Sequence, residues 1–249
     1  MSVEASVLNL PAPKPLRLAE AALFLDLDGT LAPIAARPQD VHADPRRTRL
    51  LDQLNAGLNG RLAVVSGRTL ADIDRILEGR ITCVAAVHGL VRRDGDGTLH
   101  EPRPHLALAE VIEKLRRFAV RDPGLIVEEK GASVALHFRM AQAQAGAARL
   151  LARRLAAETG LALQDGDMVE ELRTPGPAKG DSIRGFMQTP VFRGALPVFV
   201  GDDVTDEHGF AEVERLGGVG VLVGRPRATH ARFGLRGVED VMAWLEAAQ

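Results

Sequence analysis

The stretch LFLDLDGTLAPI, residues 23–34, decides the fold class of this chain. Its opening LFL is the unbroken apolar run of a β-strand that is buried on both faces. Asp26 and Asp28 then interrupt the run, and Gly29 ends it. Residues two apart in an extended strand point to the same side, and a glycine lets the chain turn sharply. The stretch therefore predicts a buried strand that presents two carboxylates to one ligand.

Strand-like and helix-like segments alternate on either side of this strand. Apolar strands are predicted at residues 61–68 and 81–89, with helices of 3.6-residue periodicity between and before them. Two further apolar strands are predicted at residues 196–203 and 218–224, and an amphipathic helix at 238–248. This alternation predicts an α/β fold with a Rossmann-like core, in which helices cover both faces of a parallel sheet.

The middle of the chain has a different pattern. From residue 106 to 173 the order is helix, two strands, helix, two strands, which predicts a small antiparallel sheet with helices on one face. Prolines at 102, 104, 175 and 177 flank this block and suggest its boundaries. We predict a discontinuous core, residues 1–104 and 175–249, with an α+β cap inserted at residues 105–174.

Composition restricts the class of protein. The 249 residues carry 31 basic and 33 acidic side chains, a net charge of −2, which argues against general attraction to nucleic acid or anionic membranes. Cys83 is the single cysteine, so no intrachain disulfide or multi-cysteine metal site is possible. The first twenty residues form a proline-punctuated lead-in without a signal peptide, and no apolar run approaches the ~20 residues of a membrane span. We expect a cytoplasmic monomer.

Polar residues collect where the predicted core strands end. These ends read DLDGT, SGR, VHG and GDDVTDE. Each alone is more often a turn or a helix cap than a site. Parallel sheets, however, bind ligands beyond the carboxyl ends of their strands, so the joint placement favours a site. The carboxylates suit Mg²⁺, a hard cation that binds oxygen ligands together with substrate phosphate.

Three of these segments, together with Lys179 in AKGD, resemble the four motifs of the haloacid dehalogenase (HAD) superfamily in its phosphatase form. DLDGT is similar to the first motif, VVSGR to the second, Lys179 in AKGD to the third and VGDDVTDE to the fourth. The insertion between the second and third motifs resembles a C2B cap. The segments VHGLVRR, VEEKGASVALHFR, DMVEELR and GDDVTDEHGF further resemble bacterial trehalose-6-phosphate phosphatases.

The resemblance implies a mechanism with two aspartates. Asp26 would attack phosphorus to form an aspartyl-phosphate, and Asp28 would act as general acid and then general base. Lys179 would neutralise charge on the phosphoryl group, and Ser66 would donate a hydrogen bond to it. Mg²⁺ would be held by Asp26, the backbone carbonyl of Asp28, and Asp202, with Asp203 as a further ligand or as a residue that orients the ligands.

The resemblance also assigns sugar recognition to the cap. Glu128, Lys130 and Glu171 would bind glucose hydroxyls, because each hydroxyl both donates and accepts hydrogen bonds. Without the resemblance, a solvated charged strand face would be the preferred interpretation. The remaining predicted substrate contacts are Gly67, Arg68 and His88. The acidic pair that follows Asp203 in the fourth motif, Asp206 and Glu207, is ambiguous, since acidic residues also favour the N-terminus of a helix.

The resemblance favours Mg²⁺-dependent hydrolysis of trehalose 6-phosphate to trehalose and phosphate. Two alternatives stay open on the sequence alone. The chain could be another HAD sugar phosphatase, for a sucrose, mannosyl or hexose phosphate, because only the cap separates these substrates. It could also be a non-catalytic module that binds sugar phosphate, although such a module has no chemical need for the full set of acidic residues, serine and lysine.

Overall fold

The computed structural model describes residues 10–249, which form two β-sheets and the helices packed on them. The first nine residues of the predicted N-terminal lead-in lie outside the described residues. The strands are β1 (Ala21–Leu25), β2 (Leu62–Val65), β3 (Cys83–Ala86), β4 (Val91–Arg93), β5 (Leu99–His100), β6 (Ile126–Glu129), β7 (Ser133–His137), β8 (Ala162–Gly166), β9 (Val169–Arg173), β10 (Leu196–Gly201), β11 (Val219–Val223) and β12 (Phe233–Leu235). The helices are α1 (Pro45–Gly57), α2 (Leu70–Ile76), α3 (Leu108–Ala119), α4 (Ala145–Thr159), α5 (Lys179–Gln188), α6 (Glu207–Arg215) and α7 (Val238–Glu246).

The larger sheet has the order β12-β11-β10-β1-β2-β3-β4-β5. The strands from β12 to β3 are parallel, and β4 and β5 extend the edge as an antiparallel hairpin. The strand that carries the DLDGT motif, β1, lies inside the sheet between β10 and β2. The carboxyl ends of β1, β2, β3 and β10 therefore meet at one edge, as the sequence predicts.

Alternate residues of β1 belong to two separate apolar cores. Leu23 and Leu25 pack with residues of α1, α2 and α7 on one face of the sheet. Phe24 packs on the other face against α5, where its ring lies 6.1 Å from that of Phe186. Burying each such side chain contributes about 1.5–3 kcal/mol, so the two-sided burial explains why this strand has no polar residue before Asp26.

The smaller sheet is antiparallel, in the order β6-β7-β9-β8. Its apolar face packs on α3 and α4 through residues such as Leu115, Leu136 and Leu172. The opposite face carries polar side chains and lies over the carboxyl edge of the larger sheet, where Lys130 reaches the carbonyl of Gly67. The predicted fold class, an α/β core with an inserted α+β unit, is confirmed.

Some elements were not predicted from the sequence. The hairpin of β4 and β5 and the edge strand β12 are two or three residues long. Strands this short do not show a periodic apolar pattern. In the described part of the chain, residues 10–249, no helix has the length and apolar character that crossing a bilayer requires.

Candidate active site

The first motif places Asp26 directly after β1 and buries it. Its backbone N–H donates to the carbonyl of Val200 at 2.9 Å, which continues the parallel ladder with β10. Gly29 has φ +84°, and a Cβ at this position would lie 2.0 Å from the carboxylate of Asp202. Only glycine fits this turn, because any side chain would collide with the acidic residue opposite.

Lys179, the first residue of α5, connects the acidic residues of two strand ends. Its Nζ donates to Oδ1 of Asp26 at 2.7 Å and to Oδ1 of Asp206 at 2.6 Å. Burial disfavours the charge of the ammonium, but the two carboxylates more than offset this and raise the pKa of Lys179 above its usual value. The lysine is therefore a fixed, buried cation beside Asp26.

Three carboxylates form a group, in which Asp26 and Asp206 are buried and Asp202 is half-buried. Each offers an oxygen, and these oxygens lie within 4.8 Å of one another. Burial, followed by repulsion from Asp206, raises the pKa of Asp202 to about 7. Burial likewise raises the pKa of Asp26, against the opposing charge of Lys179. One lysine does not balance three carboxylates, so an all-oxygen donor set with excess negative charge fits a hard divalent cation such as Mg²⁺.

The structure gives the aspartates of the fourth motif different contacts. Asp206, which the sequence left ambiguous, enters the acidic group, whereas Asp203 does not. A 3₁₀ turn at Val204–Asp206 folds Asp206 back, so that its Oδ2 accepts the backbone N–H groups of Asp202 and Asp203. The carboxylate of Asp203 instead accepts the N–H of Val204 and caps this turn.

The second motif supplies Ser66 and Arg68 at the end of β2. Ser66 is buried and its Oγ, which accepts the backbone N–H of Arg68 at 3.3 Å, lines the cavity that also contains Asp26 and Lys179. The guanidinium of Arg68 pairs with both carboxylate oxygens of Asp28, at 2.6 and 2.7 Å. The sequence predicted Arg68 to contact substrate and did not anticipate this pairing.

His88 lies at the end of β3 in a strained turn. Val87 and His88 have φ of 50° and 55°, a conformation that is rare for side chains with branched or bulky Cβ substituents. The turn presses the imidazole against Gly67, where a Cβ would lie 2.4 Å from the ring. His88 Nε2 is 3.4 Å from Glu171 Oε2, and burial lowers the pKa of the imidazole. His88 therefore lies where the core meets the cap.

The cap brings the three predicted sugar-binding residues together. Lys130 Nζ donates to Glu171 Oε2 and to the carbonyl of Gly67, both at 2.9 Å, and lies 3.8 Å from Glu128 Oε2. Burial disfavours the charge of Glu171, but Lys130 holds the pKa of this carboxyl well below its usual range. These contacts order three charged side chains over the second motif.

Two further cap residues complete this arrangement and were missed as functional residues. Ser133 Oγ donates to Glu171 Oε1 at 2.7 Å, and His137 Nε2 lies 2.7 Å from Glu128 Oε2. Both occupy β7, which runs between β6 and β9. The two-residue alternation of VEEKGASVALHFR puts Ser133 and His137 on one face, but it does not say which residues of neighbouring strands they meet.

A cavity of about 710 Å³ separates the cap from the core. Its floor is formed by Asp26, Ser66 and Lys179, and its roof includes Glu128 and Lys130. This volume lies within the range of small-molecule sites, in which a few polar groups fix the orientation of the ligand. The arrangement can hold a polar molecule with one end on the buried lysine and serine and the other end on the cap.

Comparison with known proteins identifies related chains. A family model described as trehalose-phosphatase matches residues 24–237. The trehalose-6-phosphate phosphatase of Escherichia coli (strain K12) is 40% identical over 230 residues, which are 92% of this chain and 86% of the relative. The crystal structure of a trehalose-6-phosphate phosphatase related protein is similar with a TM-score of 0.75 at 28% identity, and covers 90% of this chain and 95% of that chain.

A more distant structure supports the fold alone. A phosphatase of the HAD superfamily from Bacteroides thetaiotaomicron is similar with a TM-score of 0.58 at 16% identity, over 98% of this chain and 96% of that chain. The similarity therefore extends to both sheets.

Proposed function

This chain belongs to the trehalose-phosphatase family, and from that premise we propose that it hydrolyses trehalose 6-phosphate to trehalose and phosphate through an aspartyl-phosphate, with Mg²⁺ as cofactor. The observation that carries the proposal is the contact of Lys179 with both Asp26 and Asp206 beneath a cavity with a charged roof. A buried cation beside a carboxylate nucleophile suits attack on a phosphate dianion.

The first step transfers the phosphoryl group to the protein. A carboxylate oxygen of Asp26 forms a bond to phosphorus, the bond from phosphorus to the sugar oxygen breaks, and Asp28 gives a proton to that oxygen. Ser66 and Lys179 hydrogen-bond the phosphoryl oxygens as charge moves onto the leaving oxygen. Trehalose then leaves with the proton that Asp28 has supplied.

The second step returns the protein to its starting state. Asp28, now a carboxylate, takes a proton from a water molecule, whose oxygen attacks phosphorus and displaces the carboxylate of Asp26. Phosphate leaves, and Asp28 holds the proton for the next cycle. One residue thus serves as acid and base because the two steps need opposite proton transfers at the same place.

The acidic group fits the proposed cofactor. Asp26, Asp202 and Asp206 would hold Mg²⁺ as carboxylate ligands, in place of the set with Asp203 that the sequence favoured. When bound, Mg²⁺ supplies positive charge that offsets repulsion between an anionic nucleophile and an anionic phosphate. The backbone carbonyl of Asp28 stays a proposed ligand from the resemblance.

We propose that the cap recognises the sugar of the substrate. Glu128, Lys130 and Glu171 present oxygen acceptors and an ammonium donor at the roof of the cavity. We propose that residues 105–174 act as a lid on the core formed by 1–104 and 175–249, closing when the distal glucose engages these side chains. His88 and Gly67 contact the lid from the core side, which supports their predicted place near the substrate.

A substrate panel tests this function. Phosphate release would be measured from trehalose 6-phosphate, sucrose 6-phosphate and glucose 6-phosphate, with Mg²⁺ and with EDTA, for the wild type and Asp26→Asn. We expect activity on trehalose 6-phosphate that needs Mg²⁺ and falls by at least about 10⁴-fold in Asp26→Asn, because the nucleophile is lost. Preference for another sugar phosphate would support the phosphatase reaction but refute trehalose 6-phosphate as the substrate. No release from any of them would favour a binding module.

A further inference from the structure

The pairing of Arg68 with Asp28 has no counterpart in the roles predicted from the sequence. Arg68 is buried, and its fork of Nε and Nη2 meets the two carboxylate oxygens of Asp28 at 2.6 and 2.7 Å. Its third nitrogen, Nη1, donates to the carbonyl of Pro38 at 2.8 Å. Asp28 therefore occupies the Nε–Nη2 edge of the guanidinium, one of the two edges that could bind a phosphate at two points.

Asp28 depends on this contact for its orientation. Its side chain is one-third exposed, and within residues 10–249 Arg68 is the only group that hydrogen-bonds it. The backbone of Asp28 is fixed by a bridge to Ala32 and by the turn at Gly29, but neither of these restricts rotation of the carboxylate. A two-point contact with a planar fork does restrict it.

We propose that Arg68 is a positioning residue, which acts on the reaction through Asp28 and not by binding the phosphoryl group. This inference rests on the proposed function, in which Asp28 transfers a proton in each step. Because this carboxyl group must give a proton to the leaving sugar oxygen first and, as a carboxylate, take one from a water later, a misplacement of about 1 Å costs on the order of 10²-fold in rate. The carbonyl of Pro38 in turn fixes Arg68 to the segment that follows the first motif.

The choice of leaving group separates the two roles that Arg68 could have. A sugar alkoxide leaves poorly without a proton, whereas the phenolate of 4-nitrophenyl phosphate leaves without one. For both substrates kcat/KM reports steps up to formation of the aspartyl-phosphate. Loss of a positioning residue for the acid lowers kcat/KM for the sugar phosphate selectively, whereas loss of a phosphate ligand lowers it for both substrates.

The test therefore compares Arg68→Met with wild type on trehalose 6-phosphate and on 4-nitrophenyl phosphate at saturating Mg²⁺. We expect kcat/KM to fall about 100-fold for the sugar phosphate and by less than about threefold for the aryl phosphate, whose departure needs no acid. Arg68→Lys is expected to resemble Arg68→Met, because an ammonium lacks the fork. Retained aryl phosphatase activity also shows that the variant is folded.

Arg75 offers a matched control. It donates to the carbonyl of Val41, three residues after Pro38, at 3.0 Å and pairs with Asp72, but it does not contact Asp28. Arg75→Met therefore loosens the same segment without freeing the carboxylate. We expect its kcat/KM values to stay within about threefold of wild type for both substrates, the size of effect usual for a surface contact.

A double variant gives a second readout. If Arg68 acts through Asp28, adding Arg68→Met to Asp28→Asn lowers kcat/KM for trehalose 6-phosphate by less than about threefold beyond Asp28→Asn alone. Equal losses on both substrates, or independent losses in the double variant, would overturn the inference. A wild type that fails to hydrolyse trehalose 6-phosphate would instead count against the proposed function.

Discussion

At the scale of single residues, two aspartates of the fourth motif that lie three residues apart make different contacts. Asp206 contacts Lys179 and belongs to the acidic group, whereas Asp203 caps a turn. We predict that Asp206→Asn raises the Mg²⁺ concentration for half-maximal activity by about 10- to 100-fold. Asp203→Asn is expected to change it by less than about threefold, because the carboxylate lies outside the group.

Calorimetric titration of Mg²⁺ into the purified variants checks this prediction without relying on turnover. Asp203→Asn is the matched control, since it removes the same charge from the same loop. A larger loss of Mg²⁺ affinity in Asp203→Asn than in Asp206→Asn would restore the ligand set that the sequence favoured and refute the one drawn from the structure.

At the scale of secondary-structure elements, β9 carries one carboxylate on each face. Glu171 faces the core, whereas Glu170 is buried under α4, where Arg149 lies 3.4 Å from it and its Oε2 has no hydrogen-bond partner among residues 10–249. Burial, and then the neighbouring Asp165, raise the pKa of Glu170 to about 7. Between pH 4.5, the usual pKa of a glutamate, and about 7, the folded protein therefore keeps a proton on Glu170 that the unfolded chain has released.

The sign of the pH dependence follows from this difference. Because the folded state binds more protons between pH 4.5 and 7, this residue lowers the stability of the fold as pH rises through that window. Glu170→Gln, which is neutral throughout, should raise the midpoint of thermal unfolding by about 2–4 °C at pH 8 and by less at pH 5. Differential scanning calorimetry of wild type and Glu170→Gln at both pH values measures these midpoints.

Glu129→Gln is the control for this experiment. Glu129 lies on β6, the edge strand on the far side of β7, and pairs with Arg116 at the surface of the cap. Exposed ion pairs contribute little to stability, so we expect a similar, small change at pH 5 and pH 8. A shift for Glu170→Gln that is the same at both pH values would contradict the assignment of a proton to the buried carboxyl.

At the scale of the whole molecule, Lys130 joins the two sheets. It is a cap residue that binds Glu171 within the cap and the carbonyl of Gly67 in the core. We predict that Lys130→Met lowers kcat/KM for trehalose 6-phosphate by at least about tenfold, because a charge-assisted hydrogen bond contributes about 1.5–3 kcal/mol. The value for 4-nitrophenyl phosphate, which has no sugar, should change far less.

Lys114→Met provides the comparison for this prediction. Lys114 lies on α3 of the cap and pairs with Glu110 on the same helix. It is not among the residues that line the cavity, so Lys114→Met should leave kcat/KM unchanged for both substrates. If Lys130→Met impaired hydrolysis of the aryl phosphate as strongly as that of the sugar phosphate, the cap would not be the part that reads the sugar.

The sequence by itself determined the fold class and the residues at the strand ends. Apolar runs and helical spacing are local patterns, and the rule that ligands bind at the carboxyl ends of parallel strands needs no distances. Asp26, Ser66 and Lys179 line one cavity as the motif order indicates. The short strands β4, β5 and β12 were not predicted, because two or three residues are too few to show an alternating apolar pattern.

Only the tertiary structure decided which distant side chains meet. Arg68 and Asp28 are 40 residues apart, and Ser133 and Glu171 are 38 apart. The sequence placed each on a strand end or face, but their contacts depend on strand register and on how the cap sits over the core. Within the fourth motif, a single 3₁₀ turn places Asp206, and not Asp203, in the acidic group with Asp26 and Asp202. Local periodicity fixes the direction of a side chain, whereas its partner is set by packing between elements far apart in the chain.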